Sequence, residues 1–218
     1  MNVEDSVYKG KKIELFQKII ENEPENAILL PMEAEMPTVT TVRIKAIMTG
    51  ALSSFFETKE DFAHDEVPED SVLWQVKNHM KNTTERRIIF SGDHIWIDMF
   101  GNLFDKETHY PSFNVRDLDT NDLNVHNDVL NILNEKEDFN LLVCHLIGID
   151  HAGHTFFANH TEIQRKIIES EVIIEQIIAA MDEDTVLLLY GDHGMTNDGN
   201  HGGGTQNELK TVLFAYTK

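Results

Sequence analysis

The sequence alternates between short apolar runs and longer stretches in which apolar residues recur at helical spacing. The runs cover residues 28–30, 87–90, 140–147, 185–190 and 211–216, and polar residues or glycine bound them. Short bounded runs of this kind are typical of buried parallel strands. Their alternation with helices predicts an α/β fold, with a doubly wound, mostly parallel sheet and helices on both faces.

The helical pattern is clearest in the segment that begins at Thr161. Residues 161–164 read Thr-Glu-Ile-Gln, which has the form of a capping box with Thr161 as the N-cap. The apolar residues that follow form one face of the expected helix: Ile163, Ile167, Ile174, Ile177, Ile178 and Met181. We expect further helices near residues 40–49, 68–81 and 123–134.

Asp and His side chains follow two of the expected strands. Asp150 and His154 come after the third apolar run, in the sequence Asp-His-Ala-Gly-His. Asp192 and His193 come after the fourth run, and His201 opens a His-Gly-Gly-Gly motif shortly afterwards. Ligand sites of doubly wound sheets form at the carboxyl ends of the strands. We therefore expect both sets to lie in loops at one edge of the sheet.

The chemistry of these side chains favours a metal site. Imidazole and carboxylate ligands without sulfur suit a catalytic zinc site better than a structural one. An isolated Asp-His pair is usually part of a surface loop, and 11 histidines make some clustering expected. Three motifs in succession after two strands are harder to explain in that way. The sequence therefore predicts metal binding by the five side chains together.

A candidate nucleophile lies at the start of the helix expected at 40–49. The sequence Pro37-Thr38-Val39-Thr40 leads into this helix, and Gly50 follows it. Thr40 could simply be the N-cap of the helix. The free backbone N–H groups at a helix start also favour a bound phosphate, and coordination to zinc would activate the hydroxyl. Spacing alone leaves both interpretations open.

Composition limits the classes of partner. The chain has 38 acidic and 18 basic residues, a formal charge of -20. Because nucleic acid binding through phosphates requires clustered lysine and arginine, we expect no nucleic acid partner. The single cysteine excludes an internal disulfide and a cysteine-based zinc cluster. Asn82 and Asn159 lie in sequons and are candidate glycosylation sites.

Four segments carry a resemblance to a known family. They are residues 36–46, 112–120, 148–154 and 190–196, which read MPTVTTVRIKA, SFNVRDLDT, GIDHAGH and YGDHGMT. In this order they resemble the glycosylphosphatidylinositol (GPI) ethanolamine phosphate transferases of the alkaline-phosphatase superfamily. The nearest type is the one that acts on the third mannose, and the second segment is specific to it. The resemblance covers nearly the whole chain from about residue 10 and implies an alkaline-phosphatase-like sheet.

The resemblance implies roles for individual side chains. Thr40 is the implied nucleophile. The implied zinc ligands are Asp150, His154 and His201 for one ion and Asp192, His193 and Thr40 for a second. Arg116 would face a phosphate or an acidic lipid group, and a structural salt bridge is the alternative.

The resemblance also implies an activity, partners and a location. Phosphoethanolamine would move from phosphatidylethanolamine to the threonine and then to a mannose hydroxyl of the GPI precursor. Both lipids are implied partners, together with a small stabilising membrane subunit in the full-length family. The implied location is the lumenal side of the endoplasmic reticulum membrane. Residues 1–218 would form a single, partial catalytic domain.

One departure from the family pattern leaves alternatives open. The family begins its catalytic domain with a strand that ends in an aspartate ligand of the second zinc, whereas Asp5 lies in a polar segment. We therefore expect a sheet that lacks its first strand, and a chain without the family's membrane anchor. The alternatives are a hydrolytic phosphodiesterase of the same superfamily and a catalytically silent binding module that keeps the fold.

Overall fold

Helices and strands alternate along the computed structural model, which describes residues 14–52, 67, 69–79 and 87–218. The helices are α1 (Leu15–Asn22), α2 (Thr40–Thr49), α3 (Val72–His79), α4 (Ile95–Phe100), α5 (Thr120–Asn134), α6 (Gly148–Phe156), α7 (Thr161–Ala180) and α8 (Gln206–Leu209). The strands are β1 (Ala27–Glu33), β2 (Ile88–Asp93), β3 (Lys106–Tyr110), β4 (Leu141–Cys144), β5 (Val186–Tyr190) and β6 (Lys210–Thr217). The α/β class is confirmed, and the three helices expected near 40–49, 68–81 and 123–134 are α2, α3 and α5.

Asp5 and the two predicted glycosylation sites differ in whether the structure describes them. Asp5 and the sequon at Asn82 lie outside the described residues. Asn159 is exposed in the turn before α7, so glycosylation there stays a prediction. Within the described ranges, no helix combines the length and the apolarity that crossing a membrane requires.

Strands β3, β2 and β4 form a parallel sheet with helices on both faces of its central strand. β2 is buried along its whole length. Ile88 and Phe90 pack in a core cluster with residues of α2, α3 and α4. On the opposite face, the Ser91 hydroxyl donates to Asp128 of α5 at 2.8 Å. Because successive strand residues point to opposite faces, this sheet is covered on both sides, as predicted.

Strands β1, β6 and β5 form a second sheet, in which both pairings are antiparallel. The prediction of parallel strands is wrong for these runs. A parallel return requires a crossover, usually a helix, whereas residues 191–209 are occupied by loops and the short helix α8. Phe214 and Tyr216 pack one face of β6 against α1 and α7. Ile28 and Leu188, on the other face, are exposed.

The long helix α7 begins at Thr161 as predicted, but its N-cap is His160. The His160 imidazole accepts from the Glu162 backbone N–H at 3.2 Å, so a ring nitrogen replaces the hydroxyl of the predicted capping box. The predicted apolar face is confirmed. Ile163 packs with α6 and Ile177 with the antiparallel sheet, so α7 ties these two parts together.

The first Asp/His motif lies on helix α6, not in a loop as the sequence predicts. The buried carboxylate of Asp122 explains where this helix begins. Its Oδ1 accepts from the backbone N–H groups of Ile147 and Gly148, both at 3.0 Å, and a helix start leaves such groups without intrahelical partners. Lys166 of α7 pairs with the other oxygen at 2.9 Å, and the Lys166 and Asp122 side chains are 1% and 2% exposed. A buried ion pair therefore holds the start of α6.

Replacement of Lys166 tests this support. Lys166→Met leaves Asp122 as a buried carboxylate without its main cation, and such losses are strongly destabilising. We expect the free energy of unfolding, measured by urea denaturation, to fall by about 3 kcal/mol. Lys18→Met breaks an exposed pair with Glu14 and should leave stability unchanged as the matched control. A Lys166→Met protein as stable as the parent would contradict the proposed anchoring.

Candidate metal centre

Three of the predicted ligands converge on one point. Asp150 and His154 lie one turn apart on α6, so both project from one face of the helix, and Asp150 Oδ2 is 3.3 Å from His154 Nε2. His201 precedes α8, and its Nε2 is 3.4 Å from Asp150 Oδ1 and 3.1 Å from His154 Nε2. One ligand atom from each residue lies within 4.8 Å of the others. The structure thus assembles a possible metal-binding triad from separate parts of the chain.

The hydrogen bonds around the triad show whether it fits a cation. His201 Nδ1 lies 2.7 Å from the Thr38 carbonyl oxygen. A carbonyl oxygen only accepts, so Nδ1 carries the hydrogen and Nε2 keeps its lone pair. Asp150 Oδ1, which faces this Nε2, is buried without a hydrogen-bond partner in the part of the chain that the structure describes. A lone-pair nitrogen facing a carboxylate oxygen favours a cation between them, so the residues present fit a divalent metal.

The protonation of the triad is set by its surroundings. Burial disfavours the charged form of Asp150, but the His154 imidazole opposes this effect, and the pKa of Asp150 lies below its ordinary value. The hydrogen bond with Asp150 raises the pKa of His154. Burial lowers the pKa of His201, and nearby His193 acts in the same direction. An ionised carboxylate and a neutral His201 are the forms that metal coordination requires, whereas the raised pKa of His154 favours a proton with which a metal must compete.

A second group lies beside the triad. It consists of Thr40, Asp192 and His193. His193 Nδ1 donates to the Gly194 carbonyl oxygen at 2.9 Å, so its Nε2 carries the lone pair. That Nε2 is 3.3 Å from the Thr40 hydroxyl oxygen and 3.3 Å from Asp192 Oδ2. The structure therefore brings together the three residues that the family resemblance assigns to a second metal.

Thr40 does not cap its own helix. It is the first residue of α2, whose N-cap is Val39 with no side-chain capping bond. Its hydroxyl points to His193 instead. The geometry therefore removes the capping interpretation, and the role of nucleophile stays a prediction. The N-terminus of a ten-residue helix is also a suitable place for a phosphate.

Close packing brings the two groups together. The His193 and His201 rings stack with centroids 3.9 Å apart and planes inclined by 19°. The loop that leads to His201 lies against α6 at Gly199, where an added Cβ would overlap the carbonyl oxygen of Gly153. Gly199 also has a φ of +73°. Glycine is therefore needed there for both close approach and conformation.

Arg116 lies in an exposed segment that is held against α6. The Thr155 hydroxyl donates to the Val115 carbonyl oxygen at 2.8 Å, and the His151 ring lies 3.0 and 3.1 Å from two other carbonyl oxygens of the segment. Among the described residues, Arg116 makes no ion pair, and the alternative of a structural salt bridge stays a prediction. Its role toward a phosphate stays a prediction.

A buried cation beside the second group escapes the sequence analysis. Arg43 is buried one turn after Thr40 on α2, and its Nη1 donates to the Glu35 carbonyl oxygen at 3.1 Å. Burial lowers the pKa of Arg43, while Glu35 and Asp192 act against this shift. A guanidinium stays charged in such surroundings, so Asp192 has a fixed positive charge nearby. The available signal was an arginine three residues after the candidate nucleophile.

Comparison with known families settles the relationship that the motifs suggest. The family described as type I phosphodiesterase / nucleotide pyrophosphatase matches residues 5–203. The chain belongs to this family. The matched range includes Thr40, both Asp/His motifs and His201.

Similar proteins agree with this assignment. Human GPI ethanolamine phosphate transferase 3, catalytic subunit, is 35% identical over 206 residues, covering 94% of this chain and 18% of its own length. GPI ethanolamine phosphate transferase 3 of Eremothecium gossypii is 39% identical over 199 residues, with coverages of 89% and 19%. That of Saccharomyces cerevisiae is 33% identical over 213 residues, with coverages of 97% and 20%. The resemblance noted in the sequence is confirmed, and the chain spans about a fifth of the length of these relatives.

One solved structure confirms the fold. A protein of the alkaline phosphatase superfamily from Vibrio parahaemolyticus superposes with a TM-score of 0.59 at 12% identity. The match covers 94% of this chain and 57% of that protein.

Zinc binding tests the triad directly. His154→Ala and His201→Ala each remove one imidazole ligand, and two remaining ligands are too few for a stable zinc site. We expect either change to abolish zinc binding at the triad, measured by calorimetric titration and by metal content after dialysis. His109→Ala removes a surface imidazole and is the matched control. Equal zinc content in all three variants would contradict the triad.

Proposed function

We propose that this chain contains the catalytic site of a phosphoethanolamine transferase. In the proposed reaction, Thr40 takes phosphoethanolamine from phosphatidylethanolamine and passes it to a mannose of a GPI precursor. The observation that carries the proposal is the Thr40 hydroxyl, 3.3 Å from the lone-pair nitrogen of His193 and adjacent to a metal-binding triad. The relatives named GPI ethanolamine phosphate transferase 3 support the choice of transferred group.

The reaction consists of two successive displacements at the same phosphorus. Thr40 Oγ1 attacks the phosphorus of phosphatidylethanolamine, the bond to the diacylglycerol oxygen breaks, and the threonine proton passes to that leaving oxygen. A mannose hydroxyl then attacks the same phosphorus, the bond to Thr40 breaks, and the mannose proton restores the threonine hydroxyl. The N–H groups at the start of α2 favour the negative phosphoryl oxygens throughout.

The proposed cofactor is a pair of zinc ions. Their proposed ligands are Asp150, His154 and His201 for one ion and Asp192, His193 and Thr40 for the other. When bound, the ions would supply positive charge that lowers the pKa of the nucleophilic hydroxyl and stabilises the attacking and leaving oxygens. Backbone carbonyl oxygens accept the Nδ1 hydrogens of His201 and His193, so the Nε2 lone pairs of both rings are available to a metal.

The proposed setting is the lumenal face of the endoplasmic reticulum membrane, where residues 1–218 would act as a single, partial catalytic domain. The partners would be phosphatidylethanolamine, the GPI precursor and a small stabilising membrane subunit. The human relative is named a catalytic subunit, which supports a multi-subunit enzyme.

The exposed sequon at Asn159, and Asn82 with it, would carry glycans in that compartment. The formal charge of -20 argues against a nucleic acid partner.

Hydrolysis of a phosphodiester is the second candidate function. The description of the family names phosphodiesterases, which supports it. The first displacement would be the same, and water would replace the mannose hydroxyl in the second. The proposed ligands serve both reactions equally well, so the acceptor alone distinguishes them.

Replacement of Thr40 tests the nucleophile. Thr40→Ala removes the attacking oxygen, so we expect release of phosphoethanolamine from labelled phosphatidylethanolamine in detergent micelles to fall below detection. Thr40→Ser keeps a hydroxyl and should retain part of the activity and a covalent adduct visible by intact-protein mass spectrometry. Thr49→Ala, at the other end of α2, is the matched control. Parent-like turnover by Thr40→Ala would contradict the assignment.

The fate of the phosphoethanolamine distinguishes transfer from hydrolysis. With a soluble mannoside acceptor, a transferase should form phosphoethanolamine-mannoside and release correspondingly less free phosphoethanolamine. Both products are measured by mass spectrometry as the acceptor concentration rises. Free phosphoethanolamine at a rate independent of the acceptor would instead identify a hydrolytic phosphodiesterase.

A further inference from the structure

Glu208 accepts an unusual number of hydrogen bonds close to both groups of the site. It lies on α8 and is only 3% exposed. Its Oε1 accepts from the Gly203 N–H at 2.7 Å and the Thr38 hydroxyl at 3.2 Å. Its Oε2 accepts from the Thr205 N–H at 2.9 Å and the Thr205 hydroxyl at 2.6 Å. Hydrogen bonds from Thr205, then from Gly203 and Thr38, lower the pKa of Glu208 to about 2, so it is ionised at neutral pH.

One path leads from Glu208 to the triad through Thr38. Thr38 is fully buried, and its hydroxyl accepts from the Gly202 N–H at 2.8 Å. The Thr38 carbonyl oxygen accepts the Nδ1 hydrogen of His201 at 2.7 Å. Glu208 therefore holds the peptide that sets both the tautomer and the direction of the His201 ring.

A second path leads from Glu208 to the other group through Gly194. The backbone carbonyl oxygen of Glu208 accepts from the Gly194 N–H at 2.7 Å. The Gly194 carbonyl oxygen in turn accepts the Nδ1 hydrogen of His193 at 2.9 Å. A Cβ added to Gly194 would overlap the carbonyl oxygen of Asn207, so the two backbones fit closely here. The orientation of His193 thus depends on the position of the same residue.

The contact with Thr38 also fixes the start of helix α2. Thr38 lies two residues before Thr40, and its N–H donates to the Gly203 carbonyl oxygen at 3.3 Å. Its single hydroxyl hydrogen is shared between that oxygen, at 2.9 Å, and Glu208 Oε1, at 3.2 Å. The segment that presents the proposed nucleophile is therefore bound to the loop that presents His201. Glu208 contacts both sides of this junction, at Thr38 and Gly203, and is not itself one of the proposed metal ligands.

Only a carboxylate suits this position. All four partners of the side chain are donors, and a carboxylate accepts through both of its oxygens. A glutamine would turn its NH2 group toward two of these donors, and leaving buried donors unpaired is costly. An aspartate keeps the charge but is one methylene shorter, so it cannot reach all four partners.

We infer that Glu208 is a positioning residue for both metal groups. Its side chain bonds Thr38 and its main-chain carbonyl oxygen bonds Gly194. The carbonyl oxygens of those two residues turn the Nε2 atoms of His201 and His193 toward the proposed metals. The inference rests on the proposed metal site and is independent of the proposed transfer reaction.

Zinc affinity in Glu208→Gln tests the inference. Loss of a group that is hydrogen-bonded directly to a metal ligand weakens metal binding about 10- to 100-fold. Glu208 acts one residue further out, through Thr38, so we expect a fall at the lower end, about 10-fold. Affinity is measured by competition with a chromophoric chelator, and folding by circular dichroism and thermal unfolding. Glu171→Gln is the matched control, because the Glu171 carboxylate accepts from the Glu14 backbone N–H at 2.7 Å, on α7 and away from the site. It should bind zinc as the parent does.

Two further variants make the test independent of the stability of Glu208→Gln. Glu208→Asp should bind zinc with intermediate affinity, because it restores the charge. Thr38→Val removes one hydroxyl from the same junction, so it should also weaken zinc binding. Parent-like affinity in folded Glu208→Gln or in Thr38→Val would overturn the inference and leave the metal site standing. An equal loss in Glu171→Gln would also overturn it, and a parent chain that binds no zinc would overturn the metal site as well.

Discussion

The hydrogen bond between His201 and the Thr38 carbonyl oxygen joins the two parts of the chain that must meet for this site to exist. The residues are 163 positions apart in sequence. Helix α6 supplies only two of the proposed metal ligands, which is fewer than the three protein ligands typical of a catalytic zinc. The third ligand, His201, faces them because its Nδ1 is hydrogen-bonded to the Thr38 carbonyl oxygen. The same segment continues into α2, so the contact that completes the triad also places Thr40 beside it.

Three of the elements that present site residues contain or contact a buried charge. Asp122 and Lys166 hold the start of α6, Glu208 holds the loop around His201, and Arg43 lies buried on α2. A buried charge is tolerated only when it is paired and hydrogen-bonded, so each of them disfavours other arrangements of its element. The side chains that would contact substrate are less buried and depend on these supports for their positions. We therefore expect replacement of these buried charged residues to disturb the geometry of the site, although the site itself lies near the surface.

The sequence predicted the features that arise locally and missed those set by distant partners. The apolar face of α7 repeats every three to four residues, and each Asp/His motif follows an apolar run, so both could be read without a structure. Helix α6 could not, because two glycines weaken it and its first N–H groups bind Asp122, 26 residues away. The direction of β6 depends on whether residues 191–209 form a crossover helix, and they form loops and the short helix α8 instead. Glu208 gave no signal either, since its partner Thr38 lies 170 residues away.

The open position of the site bears on the choice between transfer and hydrolysis. His154 is exposed and Asp150 and His201 are half-buried, so water reaches the triad in the part of the chain that the structure describes. A phosphoryl group on Thr40 would then be attacked by whichever hydroxyl is held in line with it, and binding raises the effective concentration of a positioned acceptor far above that of a free one. A lipid-linked mannose confined to the same membrane as the donor lipid would have this advantage over water. The proposed transferase would therefore owe its choice of acceptor to substrate confinement and positioning, and the metal ligands would be indifferent to it.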